Sequence, residues 1–140
     1  MDNLSEKRKR TVALHERAIR FSTAVNTICP RHFSSLPSER VWDQLVRAAD
    51  STSSNLIEAD DALSDADFLA KMGIALREAK ESRAAMMKIR LASLDQSRVI
   101  AEHQLEDEAR QLAAIFAAII RNMRIRLEQQ KQHTPRKHKG

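Results

Sequence analysis

Two clusters of basic side chains are the part of this sequence best suited to chemistry, and the chemistry they suit is holding phosphate. One is Lys7, Arg8, Lys9 and Arg10, continued by Arg17 and Arg20; the other is Arg121, Arg124, Arg126 and Lys131. On a helix, Arg10, Arg17 and Arg20 fall along one stripe, and so do Arg121, Arg124 and Lys131, because steps of three and seven residues return to one side. Clustered guanidinium and ammonium groups neutralise backbone phosphates with little regard for base sequence, and such binding weakens steeply with salt. The competing reading is that these cations only solvate the exterior of the fold. Aromatic residues are 4% of the chain and tyrosine is absent, so stacking platforms for single strands are scarce. Affinity would be electrostatic and directed at backbone and shape.

Charge is distributed unevenly around its net value of +5. Residues 1–40 carry +4, residues 41–110 carry −5 and residues 111–140 carry +6. Basic ends flanking an acidic centre either neutralise one another or present separate surfaces.

Other chemistry is hard to find. No histidine has a glutamate three residues before it, as a helical carboxylate–histidine metal pair requires. His103 precedes Glu106 in the reverse order, and His15, His32, His133 and His138 sit in separate, polar contexts. Two glycines, Gly73 and Gly140, cannot make a phosphate-cradling loop or a dinucleotide fingerprint, and no catalytic serine spacing occurs. The run from Asp60 to Asp67 lacks the glycine and closing glutamate of a calcium loop. The single Cys29 excludes an internal disulfide and a thiolate metal cluster, and reads as a small buried hydrophobe at a helix end. These observations predict a protein that is not an enzyme and carries no cofactor or metal. No apolar run reaches membrane-spanning length, and a charged start followed by an amphipathic helix differs from a signal peptide, so a cytoplasmic location without membrane partners is expected.

The elements that must position the basic stripes are helices. Apolar or small residues step by three and four through Leu14, Ala18, Phe21, Val25 and Ile28, and through Trp42, Leu45, Ala49, Thr52 and Leu56. They do so again through Phe68, Met72, Ala75, Ala79, Ser82, Met86 and Ile89, and through Leu105, Ala109, Leu112, Phe116, Ile119 and Met123. Such seams predict four amphipathic helices, at about 8–28, 38–60, 65–92 and 98–130, in an all-α, antiparallel up-down-up-down bundle. The first should stop at Cys29-Pro30, because the residue before proline leaves the α region. Ser64 and Asp67 have capping-box spacing, and 93–97 is read as the third turn. The bundle would occupy residues 1–131, with 132–140 as a flexible basic tail. In this topology the first and last helices are neighbours, so the two basic stripes are expected to merge. The hydroxyl-rich run Asp50 to Asn55 fits a close helix crossing with Asn55 bonding internally; a ligand pocket is the alternative.

Two segments resemble a known family. Gln44-Leu45-Val46-Arg47-Ala48-Ala49-Asp50-Ser51 leading into Ser54-Asn55-Leu56-Ile57-Glu58 is similar to its "QLxRAAxSxxSNIxEG" segment. Asp67-Phe68-Leu69-Ala70-Lys71-Met72, with Ile74 to Ser82, resembles its "xFIxKMxIALKEAxET" helix, and Leu112 to Asn122 resembles its last helix. This is the four-helix-bundle family of ribosomal-RNA intervening-sequence proteins and the accessory variability determinants of diversity-generating retroelements. The resemblance implies a homopentameric ring. In the retroelement members it implies a basic surface that binds RNA or RNA/DNA hybrid and a reverse transcriptase partner in mutagenic complementary-DNA synthesis. Ser54, Asn55, Glu58 and Glu81 carry over as structural residues. The chain departs from the pattern at Ala59, where a glycine is usual, and at Ala84 and Ala85, where aromatics are frequent. The expected function is therefore a non-catalytic nucleic-acid-binding accessory protein; the alternative is an interaction scaffold without nucleic-acid affinity.

Overall fold

The computed structural model describes residues 4–133, and among them every regular element is a helix. Helix α1 spans Glu6–Ile28, α2 Leu36–Asp60, α3 Asp65–Leu91, α4 Ser97–Glu102 and α5 Leu105–His133. The four long helices form the bundle, with α2 against α1 and α3, and α5 against α3 and α1. Of the tail expected at 132–140, Gln132 and His133 instead continue α5, and residues 134–140 lie outside the described residues.

The apolar seams become the core. Ala18, Phe21, Val25, Trp42, Leu45, Met72, Met86, Ile89, Leu112 and Phe116 are buried together, while the seam ends Leu14, Ile28, Phe68 and Ile119 are half-buried against them. Small residues hold central seam positions, Ala49 and Thr52 on α2 and Ala75, Ala79 and Ser82 on α3. That economy of volume permits close approach of the helices. Thr52 and Ser82 return their hydroxyls to the carbonyls of Ala48 (2.7 Å) and Glu78 (2.8 Å), so burial leaves no orphaned oxygen.

Helix ends follow the sequence with three corrections, the first being that α1 begins at Glu6 rather than about residue 8, its N-cap Ser5 Oγ accepting from the Arg8 amide at 3.1 Å. Ser64 Oγ accepts from the Asp67 amide at 3.1 Å and opens α3, and α1 stops at Ile28 before Cys29-Pro30. Helix α2 begins two residues earlier than expected. Ser35 is its N-cap, its Oγ accepting from the Ser38 amide at 3.2 Å, and Pro37 sits in the first turn, where a missing N–H costs nothing. The predicted fourth helix, 98–130, is broken in two. Ile100 and Leu105 are both buried, yet five residues on a continuous helix would set them about 140° apart. His103 ends α4, and Gln104 takes the left-handed conformation (φ 52°), which turns the chain so that both side chains face inward.

One structural latch was not anticipated. Asp95, in the α3–α4 connection, accepts from the Ser34 amide (2.9 Å), Ser34 Oγ (2.8 Å) and Ser38 Oγ (2.6 Å), and its carbonyl accepts from the Trp42 indole N–H (2.9 Å). The Ser38 hydroxyl, then the Ser34 amide and hydroxyl, hold the Asp95 carboxyl below its ordinary range. The hydroxyl-rich run of α2 is a helix crossing, and Asn55 bonds internally, within its own helix, while other residues of the run reach α1. Asn55 Nδ2 bonds its own helix at Ser51 O (2.9 Å), whereas Ser53 Oγ meets Ser22 Oγ of α1 at 3.2 Å and Asp50 accepts from Asn26 at 2.8 Å. Asn55 is one turn from Ser51 and closes locally; Ser53 is on the side that faces α1.

The residues carried over from the resemblance lie along the α2–α3 side. Glu58 pairs with Lys71 at 3.1 Å, and Arg77 stands 3.6 Å from Glu78 and 4.0 Å from Glu81. Burial first, and the Glu81 charge second, push the Glu78 carboxyl above its ordinary range. A carboxyl whose folded pKa is raised binds its proton more tightly in the folded state, so stability falls as pH rises from the ordinary value through the raised one. Glu78→Gln is accordingly expected to melt above the wild type at neutral pH, with the gap closing in acid below the carboxylate range. Equal melting temperatures at neutral pH would contradict this.

Candidate nucleic-acid interface

Helix α1 presents its basic residues on three sides. Arg8 points toward α2 and donates to both oxygens of Asp60, at 2.8 and 2.6 Å. Arg17 points toward α5, where its Nε donates to Glu108 at 2.6 Å and its Nη2 to Gln111 Oε1 at 2.8 Å. Arg20 and Lys9 face outward and pair within α1 to Glu16 (3.3 Å) and Glu6 (3.5 Å). Lys7 and Arg10 line the α1–α5 side without an acidic partner among the described residues. Exposed pairs such as these add little stability, yet each holds a cation that a phosphate would have to win from a carboxylate.

On α5 the basic residues divide. Ile115, Ile119, Asn122, Met123 and Arg126 line the grooves that α1 borders. Helical geometry then puts Arg121 and Arg124 on the other shoulder, with Glu106, which receives Arg90 of α3 at 3.1 Å on both Nε and Nη2. The two predicted stripes therefore do not merge. Only Arg126, whose Nη2 lies 2.9 Å from Met123 Sδ, reaches the groove that Lys7 borders. Arg121, Arg124 and Lys131 are exposed and make no ion pair among the described residues. The missed determinant was the carboxylate Glu108; its signal was the acidic middle segment, but pairing across helices depends on rotation and register.

The N-terminus of α1, the α2–α3 turn and the later part of α5 meet at one end of the bundle, as the topology predicts. There they border a groove of about 730 Å³ with a floor that includes Leu14, Leu56, Phe68 and Met72. Its rim is mixed, Lys7 and Arg126 standing with Asp60 and Asp65. Opposite charges on one rim leave this opening without a strong preference for an anion. Cys29, at the other end, is half-buried, and burial pushes its thiol up. Among the described residues no group of three or more His, Cys, Asp or Glu could hold a metal ion, and no helix is long and apolar enough to cross a membrane.

The architecture defines the chain as an all-helical bundle with cations left free on its flanks. It belongs to the 23S rRNA-intervening sequence protein family, whose family model matches residues 10–120. No curated protein matches it in sequence. The fold is similar to the crystal structure, at 1.70 Å resolution, of a protein of unknown function from the S23 ribosomal protein family of Bacteroides thetaiotaomicron. That similarity has a TM-score of 0.63 at 21% identity and covers 79% of this chain and 97% of the other.

Proposed function

We propose that this protein is a non-catalytic nucleic-acid-binding accessory protein that holds RNA or an RNA/DNA hybrid by its backbone phosphates. The observation that carries the reading is that Lys7, Arg10, Arg121, Arg124 and Lys131, with other cations, make no ion pair among the described residues, on a chain of net charge +5. The family's name, which refers to ribosomal RNA, is consistent with it. Assembly into a homopentameric ring and service to a reverse transcriptase belong to the same proposal, supported by the resemblance of residues 44–82 and 112–122. A monomeric mass by light scattering would remove the ring.

Binding through five phosphate contacts gives a slope of roughly −4 to −5 for log affinity against log salt. Filter binding of structured RNA over a salt series measures it. Arg121→Glu with Arg124→Glu is expected to make the slope shallower by about two. Arg17→Glu with Arg20→Glu should cost less, because both side chains already serve carboxylates. Wild-type protein that retains no RNA at low salt would sink the reading. The scaffold alternative is favoured by the neutralised Arg8, Arg17 and Arg20 and by the exposed apolar Ile19, Leu63 and Ile125.

A further inference from the structure

We propose that the face shared by α3 and α5 is where a nucleic-acid duplex lies, its phosphates held by Lys80 and Arg83 from α3 and Arg121 and Arg124 from α5. The inference rests on the nucleic-acid reading above and deepens it by assigning the surface, including two residues outside the basic clusters at the chain ends. Gly73, Leu76, Lys80, Arg83, Met87 and Arg90 advance by threes and fours along α3. Glu106, Arg110, Ala113, Ala117, Arg121 and Arg124 do so along α5. The Arg90–Glu106 bridge at 3.1 Å joins the end of α3 to the start of α5, while Met72 and Met123 border one groove at the far end. The two rows thus run antiparallel and side by side.

At 1.5 Å per residue, Arg83 and Lys80 stand about 10 and 15 Å from that bridge, and Arg121 and Arg124 about 22 and 27 Å. All four are exposed and without an ion pair among the described residues. Of the carboxylates on this flank, Glu106 and Asp107 sit at the bridge end, Glu106 held by Arg90 and Asp107 by Arg110 and Gln111 with the Arg83 charge acting on it as well, while the exposed Glu128 lies one turn beyond Arg124. Between the cations the floor is low. Ala114 and Ala117 are exposed, and a Cβ built on Gly73 would meet nothing within 4 Å. A row of cations about 17 Å long beside a shallow floor suits a rod that carries one charge per about 1.7 Å of its axis. The absence of aromatics from both rows disfavours a stacked single strand. An anionic membrane would call for bulky apolar residues standing out among the cations, where Leu76 and Met87 of the α3 row are half-buried and the α5 row offers Ala113 and Ala117. The α1 side is the contrasting case, since Glu108 holds Arg17 and Asp60 holds Arg8.

The test is fluorescence anisotropy of the full chain with a short blunt RNA duplex. Near 0.1 M salt each lost phosphate contact costs about tenfold, so Lys80→Glu with Arg83→Glu should bind about 100-fold more weakly, with a slope shallower by about two. The milder pair Lys80→Gln with Arg83→Gln should weaken binding in the same direction while unchanged far-UV circular dichroism certifies the fold. The control, Arg31→Glu with Arg40→Glu, makes the same charge change on the α1–α2 side, beyond a Debye length of about 10 Å, and should cost less than about threefold. Wild-type protein that ignores the duplex defeats the nucleic-acid reading and this face with it. Wild-type binding that falls equally in control and test pairs defeats the face alone. Capture by phosphatidylglycerol vesicles without duplex binding would assign the same cations to a lipid surface and overturn the proposal.

Discussion

Trp42→Ala is expected to lower the unfolding free energy by about 3–5 kcal/mol, a large share of the roughly 5–15 kcal/mol that holds a typical domain together. The indole is fully buried, and its N–H donates to the Asp95 carbonyl at 2.9 Å. Truncation removes the largest fully buried side chain. It opens a cavity between α2 and the core and orphans the carbonyl of the residue that also receives Ser34 and Ser38. Two losses coincide because one side chain fills the core and fastens the latch. Trp42→Phe separates them: it keeps most of the volume and forfeits the hydrogen bond, at about 1–2 kcal/mol. Guanidinium unfolding followed by far-UV circular dichroism reads both variants. A midpoint for Trp42→Ala equal to the wild type would refute the assignment of the indole to the core.

The second large effect comes from adding volume. Ala79→Leu inserts a branched chain at a fully buried seam position of α3, and overfilling a close-packed interior costs about 1–3 kcal/mol through displaced neighbours. Ala84→Leu, five residues on and exposed, is its control and should stay within about 0.5 kcal/mol of the wild type. The contrast tests whether the helices approach as closely as their alanines, Thr52 and Ser82 imply. Comparable midpoints for the two variants would mean that the seam has spare room.

These positions show why the bundle was legible in the sequence. Ala75, Ala79, Ser82, Met86 and Ile89 step by threes and fours, and helical geometry alone sends them to one side, where all are buried. Pro30 and Ser64 mark ends by local rules of the same kind. The departures came where a distant contact outweighed the local pattern. Asp95 reads as a loop residue in the sequence, but it gathers Ser34, Ser38 and Trp42 from across the bundle. Gln104 interrupts a run that favours helix because Ile100 and Leu105 must both reach the core.

The candidate site was legible only as a list of charges. Arg17 and Arg121 look equivalent in one dimension, each an arginine on an amphipathic helix near a chain end. In the fold Glu108 takes the first, and among the described residues no carboxylate pairs with the second. Lys80 and Arg83, inside the acidic middle of the chain, share a flank with Arg121 and Arg124 once α3 and α5 lie antiparallel.

By itself, then, the order of residues determined the helices, their buried faces and the signs of the charges, because a helix relates residues three and four apart whatever surrounds it. Tertiary structure decided which cations are spent on carboxylates and which remain available to an anion. That outcome depends on how each helix is rotated and shifted against its neighbours, which core volumes such as Trp42 and Ala79 set from a distance.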